Sequence, residues 1–516
     1  MRLLDLAIIF GYLIGVVLMG TWFARKQETT RDYFLGDRTV PWWAIAASIV
    51  ATETSTITFI SVPGIAFARG GNFQFLQLVF GYMLGRVVIS LLFIPSYFRG
   101  ELMTVYQLLD RRFGGRIKML AASLFVVMRN IADGIRLLLT AFVLAAVYVA
   151  FQPGADTGTL IVFSVILLGV VMIVFTYFGG MEAVIWIEVV QLGIYIAGAI
   201  AAAVVLVNST EGGLSTALSS GGQYGKFSLF DFAFDFTKTF TFWAGLIGGC
   251  FLTMSTHGTD QYLVQRYLCT DKPRKAAAAL LTSGAIVLAQ FIGFLFIGVL
   301  LFAFYHPFTD AAYATARPTF PFTGGDQVFP NFITQHMPSG LSGLVVAAIF
   351  AAALSSSLNS IAATAVNDLY KPFRPNRSDK HYLKVSHWLT ILWGLVQIGV
   401  ALLMRNSGRS ALDVALSVAG LINGPVLGVF LVGTFLRRVS EPPALIGMAA
   451  SIIVMLLIYF KTPVAWTWYG VIGSSVTFLV AWGVSYAFPP APKERRDELA
   501  PGGAIGDLLP EGEASR

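Results

Sequence analysis

Runs of about twenty consecutive apolar residues recur along nearly the whole chain, beginning with residues 3–22. A helix of that length crosses a bilayer, and within hydrocarbon every backbone N–H and C=O must find a partner inside the segment. The permitted folds therefore narrow to a bundle of membrane helices. Polar content agrees, since 12% of the 516 residues are charged and mean hydropathy is +0.73. That charge content is about half of a soluble domain's. The many Phe and Gly residues suit lipid-facing bulk and close helix packing.

Hydropathy predicts about thirteen spans. They cover residues 3–22, 42–68, 73–97, 119–150, 159–177, 184–207 and 240–263, then 276–305, 341–370, 385–404, 412–436, 444–460 and 466–488. Pro63-Gly64 is expected to close the polar run of the second span, and residues 208–238 read as a hydrophilic connection. The organisation expected is a leading helix and loop (1–40), a core (41–440), two further helices (441–488) and a tail (489–516) whose Pro, Gly and charge content reads as disordered.

The net charge of +7 matters less than its distribution. Basic clusters such as Arg99 to Lys118, Arg266 to Lys275 and Lys371 to Lys384 fall in alternate loops, on one side of the bundle. They read as topology signals and not as a nucleic-acid surface. The rule places that side, and the C-terminus, in the cytoplasm of an inner-membrane protein, with the N-terminus outside. The first span has no cleavage pattern after it and reads as retained. Cys250 and Cys269 suggest neither a disulfide framework nor a metal site. No His-Glu-x-x-His motif or nucleophile elbow is present, so the chain does not read as an enzyme.

Two spans carry polar interruptions. Residues 48–64 include Thr52, Glu53, Thr54, Ser55, Thr56 and Thr58. Residues 240–263 include Gly245, Gly248, Gly249 and the stretch Thr253-Met-Ser-Thr-His-Gly-Thr-Asp260. Broken helix inside a membrane is tolerated where it lines a cavity, and an acid there marks a functional site. Two such segments five spans apart point to a secondary transporter built from inverted repeats, binding near the midplane.

Five stretches then carry a resemblance. They are Asp32-Tyr-Phe-Leu-Gly-Asp-Arg-Thr-Val-Pro-Trp-Trp43, Thr104-Val-Tyr-Gln-Leu-Leu-Asp-Arg-Arg-Phe-Gly114 and Gly258-Thr-Asp-Gln-Tyr-Leu-Val-Gln-Arg-Tyr-Leu268. The others are Leu354-Ser-Ser-Ser-Leu-Asn-Ser-Ile-Ala-Ala363 with Asn367-Asp-Leu-Tyr370, and Gly424-Pro-Val-Leu-Gly-Val-Phe430. In order and spacing, over residues from about 30 to about 440, they resemble the sodium/solute symporter family. That family includes sodium–glucose, proline, sialic acid, iodide and monocarboxylate transporters. The resemblance implies an all-α polytopic membrane protein with a LeuT-like five-plus-five inverted repeat and one extra N-terminal helix.

The resemblance also implies a sodium ion held by backbone carbonyls of the first broken helix, here Ala51 and Thr54, which suits a hard cation. The two hydroxyls the family usually adds from the eighth core helix are here Ala352-Ala353, so the usual site lacks two ligands. An alternative site of some members would draw on Ser355, Ser356 and Glu188, and Glu53 adds a further carboxylate. Coupling is expected through sodium there, or through protons at Glu53 or Glu188, with an uncoupled channel or a membrane sensor of the same fold as the other readings. Sodium is the only ion partner expected besides a proton, and no cofactor is expected.

For the solute, Ser55, Thr58, Gln77, Asp133, Arg136 and Asn423 are the candidates. Arg129, Asp133 and Arg136 are spaced three or four apart, so pairs share a helix face. They read either as an ion pair fixing helix packing or as leaving one Arg for a carboxylate. Arg86 is expected to pair inside or to snorkel, and His257 to be a hydrogen-bonded helix-end histidine. Ile57 and Thr58 stand where sugar-binding members carry polar side chains, which favours a small carboxylate or amino acid over a sugar. Import by alternating access across the bilayer is the function expected.

Overall fold

Asp5, one turn into the first helix, is fully buried. Its carboxylate accepts from the N–H groups of Gly340 at 2.7 Å and Gly343 at 2.9 Å and from the Ser342 hydroxyl at 2.8 Å. An anion at a helix N-terminus satisfies amides that have no partner within the helix and complements the dipole. The leading helix is thereby fastened to the helix that begins at Leu341.

The computed structural model describes residues 3–23, 28–54, 56–152, 154–305, 319, 321–322, 324–354, 357–405, 411–496 and 498–499. Among them every regular element is helical. The main helices are α1 (Leu3–Phe23), α2 (Trp42–Glu53), α3 (Thr56–Phe67), α4 (Leu76–Leu92), α5 (Gly115–Phe151) and α6 (Thr157–Ser209). The middle of the chain forms α7 (Gly249–Gly258), α8 (Gln261–Leu268), α9 (Pro273–Tyr305), α10 (Leu341–Leu354) and α11 (Leu358–Thr364). The last four are α12 (Asp379–Met404), α13 (Ala411–Phe435), α14 (Glu441–Lys461) and α15 (Tyr469–Val484).

Seven helices among the described residues are long and apolar enough to cross a membrane, or eight if the bent pair α2–α3 is one span. Breaks account for part of the difference from the thirteen runs in the sequence. The 53-residue α6 turns at Gly180, whose φ of 58° only glycine adopts without strain, so it joins two of the expected spans. Leu76–Leu92 is apolar but shorter. Residues 244–248 form a π-helical turn before α7.

Two local expectations are corrected. Pro63 does not end its run: it lies inside α3, which continues to Phe67. The break comes earlier, at Thr54 (φ −78°, ψ 80°), and the two halves meet at 60°. The other correction concerns residues 208–238, which hold a helix, Gly213–Gln223, within the connection. Beyond it the buried Lys226 ammonium donates to the carbonyls of Ala66 (3.0 Å), Phe67 (3.0 Å) and Ala68 (2.6 Å). A cation there satisfies the last carbonyls of α3. Gly298 allows α9 to cross α3 closely, because a Cβ there would come within 2.3 Å of the Pro63 carbonyl oxygen.

α2 packs against α6 and α9, α3 against α9, and α4 against α7. α5 lies between α6 and α12, while α13, α14 and α15 pack mutually at one flank. The two interrupted segments, α2–α3 and α7–α8, meet where α8 packs on α2.

Candidate functional site

The second interruption falls at Thr259 and Asp260, between α7 and α8. Asp260 caps α8 through the N–H of Tyr262 at 2.8 Å. It is 4% exposed and lies 3.5 Å from the Arg129 guanidinium of α5. Arg129 lies 4.1 Å from the centre of the Tyr262 ring and Arg266 lies 4.6 Å from it. One aromatic ring thus contacts two cations, Arg266 fully buried and Arg129 half-buried, an arrangement favoured by the ring quadrupole as water is excluded.

Arg266 is corrected from its sequence placement. Its position near a basic loop suggested solvent, yet it is fully buried on α8. It donates through Nη2 to Glu188 Oε1 at 2.5 Å and through Nε to Glu188 Oε2 at 3.3 Å. Glu188, on α6, also accepts from the Ser48 hydroxyl and, at 3.0 Å, from Thr52 Oγ1. A charge held in low dielectric needs such a partner with further hydrogen bonds. Glu188 was expected as an acid in want of an ion; the fold supplies a guanidinium.

Glu53 is met in the same way. One oxygen accepts from Arg86 Nη2, and the other lies 3.0 Å from His257 Nε2. His257 Nδ1 is 2.9 Å from Thr256 Oγ1. Arg86 is fully buried and is the interior partner. This cluster ties the last residue of α2 to α4 and α7.

At the first break, Thr54 contributes a carbonyl that accepts from Tyr195 Oη at 3.0 Å, which leaves a second lone pair. The Thr54 hydroxyl donates to the Val50 carbonyl at 2.8 Å and lies 3.0 Å from Gln290 Oε1. Ala51 is fully buried within α2, and Thr58 Oγ1 lies 3.5 Å from the Glu53 carbonyl. Ser55, Ser355 and Ser356 lie outside the described residues.

Asp133 and Arg136 come together on α5 at 4.0 Å, and Asp133 accepts from the Ser357 hydroxyl beside α11. Arg129 does not share that pair, because its carboxylate comes from the second broken segment. Gln77 is hydrogen-bonded within the protein. Its side-chain amide donates to the Phe240 carbonyl at 3.2 Å and accepts from the Asp231 N–H at 3.0 Å, which commits it to the connection before α7. Asn423 is buried on α13, which packs on α5, α7, α14 and α15. Phe59 lies among Tyr195, Phe294 and Phe329, and Trp186 meets Trp43, so both are packing residues. Sequence reasoning missed Asp260, Arg266 and Tyr262 as a network. The available signal was two charged residues close to a Gly-Thr interruption inside an apolar region.

The family model of the sodium:solute symporter family matches residues 33–451. The chain belongs to this family. It is 32% identical over 479 residues to the sodium/sialic acid symporter NanT of Aliivibrio fischeri, covering 92% of this chain and 91% of that one. It is 29% identical to the human sodium-coupled monocarboxylate transporter 1, covering 88% and 72% of the two chains. Among solved structures, a substrate-bound, outward-open sodium-coupled sialic acid symporter superposes with a TM-score of 0.83 at 29% identity, covering 95% of this chain and 99% of that one. MhsT, crystallised with L-phenylalanine, shares the fold at a TM-score of 0.53 and 15% identity. As a symporter-family member with membrane helices, the protein is a multi-pass membrane protein.

Proposed function

We propose that this symporter couples sodium entry to the import of a small carboxylate-bearing solute by alternating access. What carries the reading is similarity to sodium/sialic acid symporters along almost the whole chain, together with two broken helices that meet in one polar network. The network bears on the coupling ion. Glu53 and Glu188 are each matched by an arginine, so neither is a spare proton carrier. Sodium has oxygen ligands available at Thr54 and Ala51, and Ser355 and Ser356 remain proposed contributors. Ser55, Thr58, Arg136 and Asn423 remain proposed solute contacts, with Asp133 as the acid orienting Arg136. Arg136 supplies a planar donor suited to a carboxylate.

In this reading residues 41–440 are the transport core, and the cytoplasmic side of the cell membrane holds the basic loops and the C-terminus. Binding of ion and solute biases two arrangements of the core, and no covalent step is involved. The test is uptake into proteoliposomes. Labelled sialic acid and short monocarboxylates are offered under an inward sodium gradient, a potassium gradient or a proton gradient. Sodium-driven accumulation of a carboxylate is expected. Accumulation driven by protons alone, or downhill flux indifferent to sodium, would overturn the reading.

A further inference from the structure

Beside α12 the protein leaves a groove of about 590 Å³ open on its outer surface. One wall is the π-helical turn of residues 365–370 that follows α11, and the other is α12. Leu369, Tyr370, Trp388, Leu389, Leu392 and Trp393 line it. From residue 385 to residue 393 the α12 wall runs about 12 Å at 1.5 Å per residue. Trp388 is 64% exposed and Leu392 is 49% exposed, so this helix face has no protein partner among the described residues.

The mouth of the groove is basic. Lys384 is exposed one turn before Trp388, on the same face. Lys371 directly follows the opposite wall, its ammonium 5.1 Å from the Tyr382 ring centre. Tyr370 Oη, at the rim, meets His381 Nε2 at 2.9 Å. Arg374 and Arg377 lie in the exposed loop between them, and Lys380 is exposed in the first turn of α12. The acid on this rim, Asp379, is occupied by Thr30, accepting from its N–H at 2.9 Å and its hydroxyl at 2.8 Å. An apolar slot with several cations at one end matches an amphiphile with a negative head.

We propose that this groove binds an anionic phospholipid. One acyl chain lies between residues 365–370 and α12, and the phosphate sits between Lys371 and Lys384. A zwitterionic lipid fits the slot equally well but brings a cation to the same rim. The selectivity therefore resides in the two lysines and not in the apolar walls.

The test uses the full-length protein in phosphatidylcholine nanodiscs doped with lipid brominated on the acyl chain, which quenches nearby tryptophan fluorescence. Brominated phosphatidylglycerol and brominated phosphatidylcholine are compared at equal content. With each lysine near an anionic surface contributing on the order of 1 kcal/mol, the phosphatidylglycerol preference is expected to be about tenfold or more. The double variant Lys371→Gln/Lys384→Gln should bring the preference close to one while keeping wild-type uptake in phosphatidylcholine liposomes. Trp388→Phe in the otherwise native chain should remove most of the differential quenching. Equal quenching by the two lipids, an undiminished preference in the double variant, or an undiminished difference in Trp388→Phe would each overturn the assignment.

Discussion

Arg266 holds Glu188 through two nitrogens, Nη2 at 2.5 Å from one carboxylate oxygen and Nε at 3.3 Å from the other. The pair joins α8 to α6, and Arg266 Nε lies 2.9 Å from Ser48 Oγ of α2. Both side chains are essentially inaccessible to solvent. Removing one partner strands a charge in low dielectric, which destabilises by about 3–5 kcal/mol. Glu188→Gln and Arg266→Gln should each therefore lower the melting temperature sharply in detergent. The double variant Glu188→Gln/Arg266→Gln should be much less damaged than the sum of the two. Additive losses, or a stable Glu188→Gln protein with weakened sodium activation alone, would make Glu188 an ion ligand and not a structural partner.

Glu53 closes α2 against Arg86 and His257. Its carboxylate belongs to a pair that must be remade if the helix halves move. For Glu53→Gln the expected result is a fall in maximal uptake with the sodium concentration for half-activation unchanged. Concentration-dependent uptake at several sodium levels checks this. A shift in half-activation with full maximal rate would place Glu53 in the ion site.

Arg136 stands 4.0 Å from Asp133 with 16% of its side chain exposed. If it binds the solute carboxylate, Arg136→Gln removes a charged hydrogen bond worth about 1.5–3 kcal/mol. The KM for the solute should rise by roughly ten- to a hundredfold at 1.4 kcal/mol per decade. Sodium activation should persist. Arg136→Lys should rescue only in part, since an ammonium lacks the planar fork. An unchanged KM in Arg136→Gln would remove Arg136 from the solute site.

Asp5 caps α10 from the leading helix. Asp5→Ala leaves two amides and the hydroxyls of Ser339 and Ser342 without their acceptor, and cap losses of this kind run to about 0.5–2 kcal/mol. A lower melting temperature is expected, with KM and sodium activation as in the wild type. Asp5→Asn should fall between the two. A variant as stable as the wild type would show that packing alone holds α1.

The apolar runs, through the backbone's need for internal partners, were enough to establish a helical membrane bundle. The Thr-rich and Gly-rich interruptions marked the two segments that contain the breaks at Thr54 and Thr259. The five motif stretches together identified the family. None of these readings needs tertiary information, because helix length, helix breaking and motif order are properties of neighbouring residues. Charge partnership is different. Helical spacing reports neighbours three or four residues apart, and it made Asp133 look like the natural partner of Arg129, when the acid facing Arg129 is Asp260. Glu53 meets an arginine 33 residues away and Glu188 one 78 residues away. Which buried charge meets which depends on how α2, α4, α6 and α8 cross, and hydropathy is blind to that crossing because it reports how apolar a segment is and not which segment lies beside it. The sequence therefore determined that acids and arginines lie within the membrane. Only the packed bundle decided that they neutralise one another.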